Sequence, residues 1–285
     1  MRNIGQALIK GIERSNMPAE QAKSGKKLLR WGARFLIMFY LVLYLFACAA
    51  ADNIIFQPHP SSYQDGAPYF KLESGAEKIK IAAVYLPNPT ARHTVIYSHG
   101  NGEDLGDDSK YLERLRQNNF AVLAYEYRGY GTSQGKPSEE GCYEDIDAAY
   151  VYATEALGVK PSEIIVFGRS VGGGPSTDLA SRKPVGGLIL ESSFTTAFQV
   201  ATRVSLLPFD KFRNIDKIGS VRCPVLIIHG TNDWVIAFSH GEKLFTAANE
   251  PKTFFPVNGA GHNDVECLAG EAYWQAIRTF AESVK

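Results

Sequence analysis

A serine hydroxyl is a weak nucleophile until a base takes its proton and a third group orients that base. One stretch of the 285-residue chain is built to present such a serine: Ile164-Ile165-Val166-Phe167-Gly168-Arg169-Ser170-Val171-Gly172-Gly173-Gly174. A four-residue apolar run ends in Gly-x-Ser-x-Gly and passes into residues 175–182, which suit a helix. Strand, sharp turn and helix with the serine at the apex form a nucleophile elbow, whose glycines let neighbouring backbone approach closely. The plainer alternative is a glycine-rich turn.

Asp233, in Thr231-Asn232-Asp233, follows the apolar run 225–228, and His262, in Gly259-Ala260-Gly261-His262, follows 253–256. Alone, the first reads as a turn former and the second as a loop histidine. Together, each just after a strand, they supply what Ser170 needs: His262 to take the proton and Asp233 to hold the imidazole and stabilise its cation. Two backbone N–H donors must face the developing oxyanion. Val171, next after the nucleophile, offers one, and Asn101 in His99-Gly100-Asn101-Gly102 offers the other, with Gly102 second. His99 and His229 follow strands and read as loop supports, and His59, His93 and His240 as surface residues.

The elements that must position these groups follow from short apolar runs alternating with helical segments. Strands are expected over 79–86, 94–97, 120–125, 164–167, 187–190, 225–228 and 253–256. Helices are expected over 105–118, 138–157 (Ser138 as N-cap), 175–182, 238–248 and 265–284. That alternation means a mostly parallel α/β sheet covered by helices on both faces. Right-handed crossovers then leave the strand C-termini, and the loops carrying Ser170, Asp233 and His262, on one edge.

Thirty basic and thirty acidic residues give a formal charge of zero, but eight of the former and two of the latter fall in residues 1–34. The remainder is formally −6, with no basic face for nucleic acid. Cys48, Cys142, Cys223 and Cys267 lack the spacing of a zinc site, so neither metal nor disulfide framework is expected.

Residues 1–34 form a basic tail, with Ile4, Leu8 and Ile12 able to line a short helix. Residues 35–51 are 17 uncharged, mostly apolar positions, near the short end of the ~17–25 that span a bilayer. Lys23, Lys26, Lys27, Arg30 and Arg34 crowd its front, and residues 52–70 hold no Lys or Arg. A single transmembrane anchor is expected, with the N-terminus cytoplasmic and the domain on the other side. A cleaved signal peptide and a lipoprotein-like Leu45-Phe46-Ala47-Cys48 are the alternatives. Residues 52–78 read as a linker or edge segment, and 79–285 as the main domain.

Four loops, His99-Gly100-Asn101-Gly102-Glu103-Asp104-Leu105-Gly106, Tyr127-Arg128-Gly129-Tyr130-Gly131, Gly168-Arg169-Ser170-Val171-Gly172-Gly173 and Gly259-Ala260-Gly261-His262-Asn263-Asp264, together resemble the membrane-associated α/β-hydrolase domain-containing group. That group includes acyl-protein thioesterases (depalmitoylases) and single-pass relatives. The resemblance spans about residues 54–283. It implies an α/β-hydrolase fold, a Ser170/His262/Asp233 triad and no cofactor. It departs at the N-terminus, where the depalmitoylases carry a lipidated cysteine-rich segment and this chain has an apolar run. Serine hydrolase activity is therefore the firmer implication, and thioesterase activity the finer one.

Residues 192–220 would form a short cap, with Phe194, Phe198, Val204, Leu206, Leu207, Pro208, Phe209 and Phe212 facing an acyl chain or simply packing on the sheet. The expectation is a membrane-anchored serine hydrolase acting on an acylated small molecule, lipid or acyl-protein. A serine peptidase on the same fold and a non-catalytic membrane-tethered scaffold are the rivals.

Overall fold

The computed structural model describes residues 19–202 and 210–284. The chain divides into two compact units, Met1–Ala50 and Ala51–Lys285. Helix α1 (Ala19–Ile55) holds the apolar run. Within the first unit Trp31, Phe35, Met38, Phe39, Val42 and Leu45 stand exposed. The side chains of residues 43 and 46–50, Cys48 among them, lie outside the described residues, as does the tail with Ile4, Leu8 and Ile12. Here the structure departs from expectation: among the described residues no helix is long and apolar enough to cross a membrane.

In the second unit, β1 (Tyr69–Ser74), β2 (Ile79–Leu86) and β3 (His93–Ser98) precede α2 (Ser109–Gln117), β4 (Phe120–Tyr125) and α3 (Glu139–Val151). Then come β5 (Ile164–Arg169), α4 (Gly173–Arg182), β6 (Gly187–Glu191), α5 (Ala197–Thr202) and α6 (Asn214–Lys217). The chain closes with β7 (Val225–Gly230), α7 (Ser239–Ala247), β8 (Lys252–Val257), α8 (Val265–Ala269) and α9 (Glu271–Ser283). The strands form one sheet in the order β1-β2-β4-β3-β5-β6-β7-β8. β1 and β2 run antiparallel to their neighbours; from β4 to β8 every pairing is parallel.

Alternation along the strands divides the core in two. Ile164 and Val166 of β5 pack with Cys142 and Ile146 of α3 and Leu179 of α4. Ile165 and Phe167 face the other way, toward Leu112 and Leu115 of α2 and Tyr273, Ile277 and Phe280 of α9. Each such large buried side chain contributes roughly 1.5–3 kcal/mol. A parallel sheet wet on neither face needs such near-continuous apolar strands.

Several boundaries differ from expectation for local reasons. β1 lies inside the interval read as a linker or edge segment, at the edge of the sheet. The helix expected from residue 105 starts at Ser109, because Asp104 holds the preceding turn by accepting from the N–H groups of Gly106 and Asp107 at 3.0 and 3.1 Å. Ser138 does cap α3, accepting from the Gly141 N–H at 3.0 Å. The last helix is broken at Gly270, whose φ of +55° ends α8. In the cap region, Phe194 and Phe212 are buried in the sheet-side core with Phe56. Val204, Leu206, Leu207, Pro208 and Phe209 lie outside the described residues. His93 and His240, expected at the surface, are buried: His93 opens β3, and His240 packs under Thr195.

Candidate active site

β5 ends against the turn that begins α4, and Ser170 at that junction has φ +53°. A non-glycine residue stays in that left-handed region only where its surroundings hold it. The glycines explain how. A Cβ on Gly168 would lie 2.4 Å from the Gly172 carbonyl oxygen, and one on Gly172 would lie 2.1 Å from that of Ser98. The elbow is therefore pressed directly against the end of β3, where the loop containing Asn101 begins.

The Ser170 Oγ lies 3.0 Å from His262 Nε2, and His262 Nδ1 lies 2.7 Å from Asp233 Oδ2. The other carboxylate oxygen accepts the N–H groups of Val235 at 2.9 Å and Ile236 at 2.7 Å. Burial alone would raise the Asp233 carboxyl, but the neighbouring His229 and His262 imidazoles and the Ile236 N–H outweigh it. They hold the group well below the usual carboxylate range. An ionised carboxylate only accepts, so Nδ1 of His262 carries the proton and Nε2 is left free to accept from the serine hydroxyl. That is the orientation a general base requires.

His229 supports this carboxylate from below. Its Nε2 donates to the Ile236 carbonyl at 2.8 Å and lies 3.4 Å from Asp233 Oδ2. On the other side of the elbow, the Ser193 hydroxyl donates to the Ser170 carbonyl at 3.2 Å. Arg169, immediately before Ser170, ties together residues that are remote in sequence. Its guanidinium reaches Glu103 at 2.8 Å, Asn263 at 3.3 Å and Glu191 at 3.6 Å. No spacing rule links Glu103, Arg169, Glu191 and Asn263, so only the folded chain reveals this tie.

Val171 is buried directly after Ser170, and Asn101 sits exposed in the loop after β3. His99 Nδ1 donates to the Gly100 carbonyl at 2.7 Å. A trans peptide sets its N–H opposite its C=O, so the Asn101 N–H points away from the buried imidazole. The His99 ring also meets Glu126 Oε2 at 3.1 Å, out of line for a hydrogen bond, with both side chains fully buried. Burial would lower the imidazole, but the Glu126 carboxylate outweighs it and pushes His99 up to about 9.

Among the described residues one cluster has metal-like composition, His59 with Asp104 and Asp107. Its donors are engaged otherwise. His59 places Nδ1 2.6 Å from the Pro60 carbonyl and Nε2 2.9 Å from Asp107, two acceptors that call for a doubly protonated ring. The described cysteines Cys142, Cys223 and Cys267 are free thiols. A groove of about 480 Å³ between β1 and α3, lined by Leu72, Glu144, Val151 and Tyr152 among others, contains none of the triad residues.

This sheet order, with a nucleophile elbow after β5 and a Ser–His–Asp hydrogen-bond chain at the strand C-termini, defines an α/β-hydrolase. A family profile described as serine aminopeptidase, S33, matches residues 89–214. Alpha/beta hydrolase domain-containing protein 17B of Xenopus tropicalis is 44% identical over 206 residues, covering 70% of this chain and 70% of the relative. The Homo sapiens 17B protein is 43% identical over 206 residues, with the same coverage. The Caenorhabditis elegans protein aho-3 is 41% identical over 229 residues, covering 79% of this chain and 68% of the relative. An esterase from Pyrococcus furiosus superposes with a TM-score of 0.68 at 17% identity, covering 79% of this chain and 98% of that one. The chain belongs to the alpha/beta hydrolase domain-containing protein 17 family.

Proposed function

We propose that the protein is a serine hydrolase that cleaves acyl esters or thioesters through an acyl-enzyme on Ser170. The observation that carries this reading is the unbroken chain Ser170 Oγ, His262 Nε2, His262 Nδ1, Asp233 Oδ2, with spacings of 3.0 and 2.7 Å. In the reaction, Ser170 Oγ attacks the substrate carbonyl carbon as its proton passes to His262 Nε2, and Asp233 stabilises the imidazolium. The N–H groups of Val171 and Asn101 take the oxyanion. Collapse expels the alkoxide or thiolate, which leaves with the proton held by His262. Water, deprotonated by the same nitrogen, then hydrolyses the acyl-enzyme and restores the serine. The reading includes membrane attachment through the exposed apolar face of residues 35–42, which the basic front half of α1 reinforces.

The test is covalent labelling of the full-length, detergent-solubilised protein with a fluorophosphonate, beside Ser170→Ala and His262→Ala. Labelling absent in the first variant and slowed at least a hundredfold in the second supports the reading. No labelling of folded wild type moves the protein to a non-catalytic scaffold. The aminopeptidase named by the matching family profile is the second reading. An aminoacyl-naphthylamide tested beside a palmitoyl thioester and a p-nitrophenyl ester decides between them. Turnover of the amide alone would displace the ester reading.

A further inference from the structure

The Tyr127-Arg128-Gly129-Tyr130-Gly131 turn has no part in the triad, yet it supplies much of what grips the loop after β3. The Tyr127 hydroxyl donates to the His99 carbonyl at 2.7 Å, and the Tyr130 hydroxyl donates to Asn101 Oδ1 at 2.6 Å. The segment following α1 completes the grip. The Gln57 N–H is 3.0 Å from both Asn101 Oδ1 and the Tyr130 hydroxyl, and Asn101 Nδ2 donates to the Ile55 carbonyl at 2.7 Å. Both ends of the Asn101 amide are thus occupied.

The turn itself is fixed. The Arg128 N–H donates to Asp145 Oδ2 at 2.8 Å, and its guanidinium meets the same buried carboxylate at 3.0 Å. Gly131, at φ +50°, lets the chain pass where a Cβ would lie 2.5 Å from both Glu126 Oε1 and the Tyr63 hydroxyl. Just before the turn, Glu126 accepts the Leu105 N–H at 2.8 Å, at the far end of the gripped loop. Phe56 wedges between Tyr130 and Phe212, with ring centroids 6.4 and 5.9 Å away.

The gripped loop needs such support. It contains Gly100 and Gly102, the latter at φ +73°, and so has little stiffness of its own. An oxyanion donor works only when aimed before the charge develops, and misplacement by about 1 Å can cost on the order of a hundredfold. His99 Nδ1 fixes the inner side of the Gly100–Asn101 peptide, and the Asn101 side chain fixes the next Cα from outside.

We propose that Tyr130 and the Asn101 side chain, with Gln57, are positioning residues that aim the Asn101 N–H at the oxyanion. Tyr127 does the same for the peptide before it. The proposal rests on the serine hydrolase reading above, and names a part of that site no triad logic predicts. It also makes the segment after α1 a working part of the active site.

The experiment measures p-nitrophenyl butyrate turnover by the full-length protein, normalised to sites titrated with a fluorophosphonate. The variants are Tyr130→Phe, Asn101→Ala, their combination and Gln57→Pro, which removes the N–H donor. Because the oxyanion contact exists only in the transition state, kcat per titrated site should fall about ten- to hundredfold with KM within about twofold. The double variant should be no slower than Asn101→Ala alone, since both act through one bond. A merely structural role would lower the number of titratable sites or the Tm and leave the rate per site at the wild-type value; that result overturns the proposal. So do additive losses in the double variant. Wild type that neither labels nor turns over would instead remove the hydrolase reading, and this proposal with it.

Discussion

At Asp233 the two carboxylate oxygens have different duties, and that fixes what an amide there would do. Oδ1 is taken by two backbone N–H groups, Val235 and Ile236, while Oδ2 faces His262 Nδ1. In Asp233→Asn the amide oxygen must stay with the backbone donors, so its NH2 turns to Nδ1. The imidazole must then accept there, which moves its proton to Nε2 and removes the base from Ser170. We expect kcat/KM to fall by about 10³–10⁴ with little change in Tm, measured by ester turnover and thermal melting. His240 gives a second residue-scale prediction, on stability. Burial, with Lys243 and His229 nearby, lowers its imidazole to about 4, although Asp233 pulls the other way. Between that value and the ordinary 6.5 the unfolded chain binds a proton that the folded chain does not. Stability should therefore be complete above about pH 6.5, fall as pH drops toward 4, and level off below. Melting curves across pH 7 to 4 should show this loss, and His240→Asn, which keeps an acceptor for the Thr195 N–H, should flatten it.

The element that carries Ser170 depends on contact between backbones. Gly172 lies where any Cβ would stand 2.1 Å from the Ser98 carbonyl oxygen, and a main-chain atom cannot swing aside as a side-chain tip can. Gly172→Ala should destabilise the fold by about 3 kcal/mol, read as a drop in the urea midpoint at unchanged m-value. Conformation at Ser170 should suffer with it, so activity per folded molecule should fall too. The elbow was readable in the sequence because its glycines, apolar strand and serine are contiguous. The five strands from β3 to β7 were readable for a related reason: each is buried on both faces and so appears as an apolar run, whereas β8, a half-exposed edge strand, was marked only by its Phe254-Phe255 pair. β1 was not, because Lys71 and Glu73 alternate with Phe70 and Leu72 at the sheet edge and the segment resembles a polar linker. The break at Gly270 was hidden too, since the apolar periodicity continues across it and only the backbone angle shows the stop. Among site groups, Ser170, Asp233 and His262 announce themselves by place after strands. Arg169, Glu103 and Tyr130 do not, because their partners lie 66 and 29 residues away with no pattern to link them.

At the scale of the whole molecule, charge and apolar surface are segregated along the chain. Residues 1–34 hold eight of the thirty basic side chains, and residues 35–42 present apolar side chains outward from a helix. A Leu or Phe left in water forgoes roughly 1.5–3 kcal/mol that burial would return, so eight such positions in succession call for an apolar partner. Lipid would supply one, and the basic residues ahead would add on the order of 1 kcal/mol each near an anionic surface, an effect that salt screens. The two contributions can be separated by flotation of the full-length protein with vesicles of pure phosphatidylcholine and of phosphatidylcholine with phosphatidylserine. Replacing Lys23, Lys26 and Lys27 by Gln should remove the extra binding to the anionic vesicles at low salt and leave binding to the neutral ones. Leu36→Glu with Phe39→Glu should abolish flotation on both, at any salt. Neither set touches a residue of the triad or its loops, so p-nitrophenyl butyrate turnover in solution should stay within about twofold of wild type. Flotation that survives the glutamates would mean the exposed run meets something other than lipid, and a protein surface would then have to cover it.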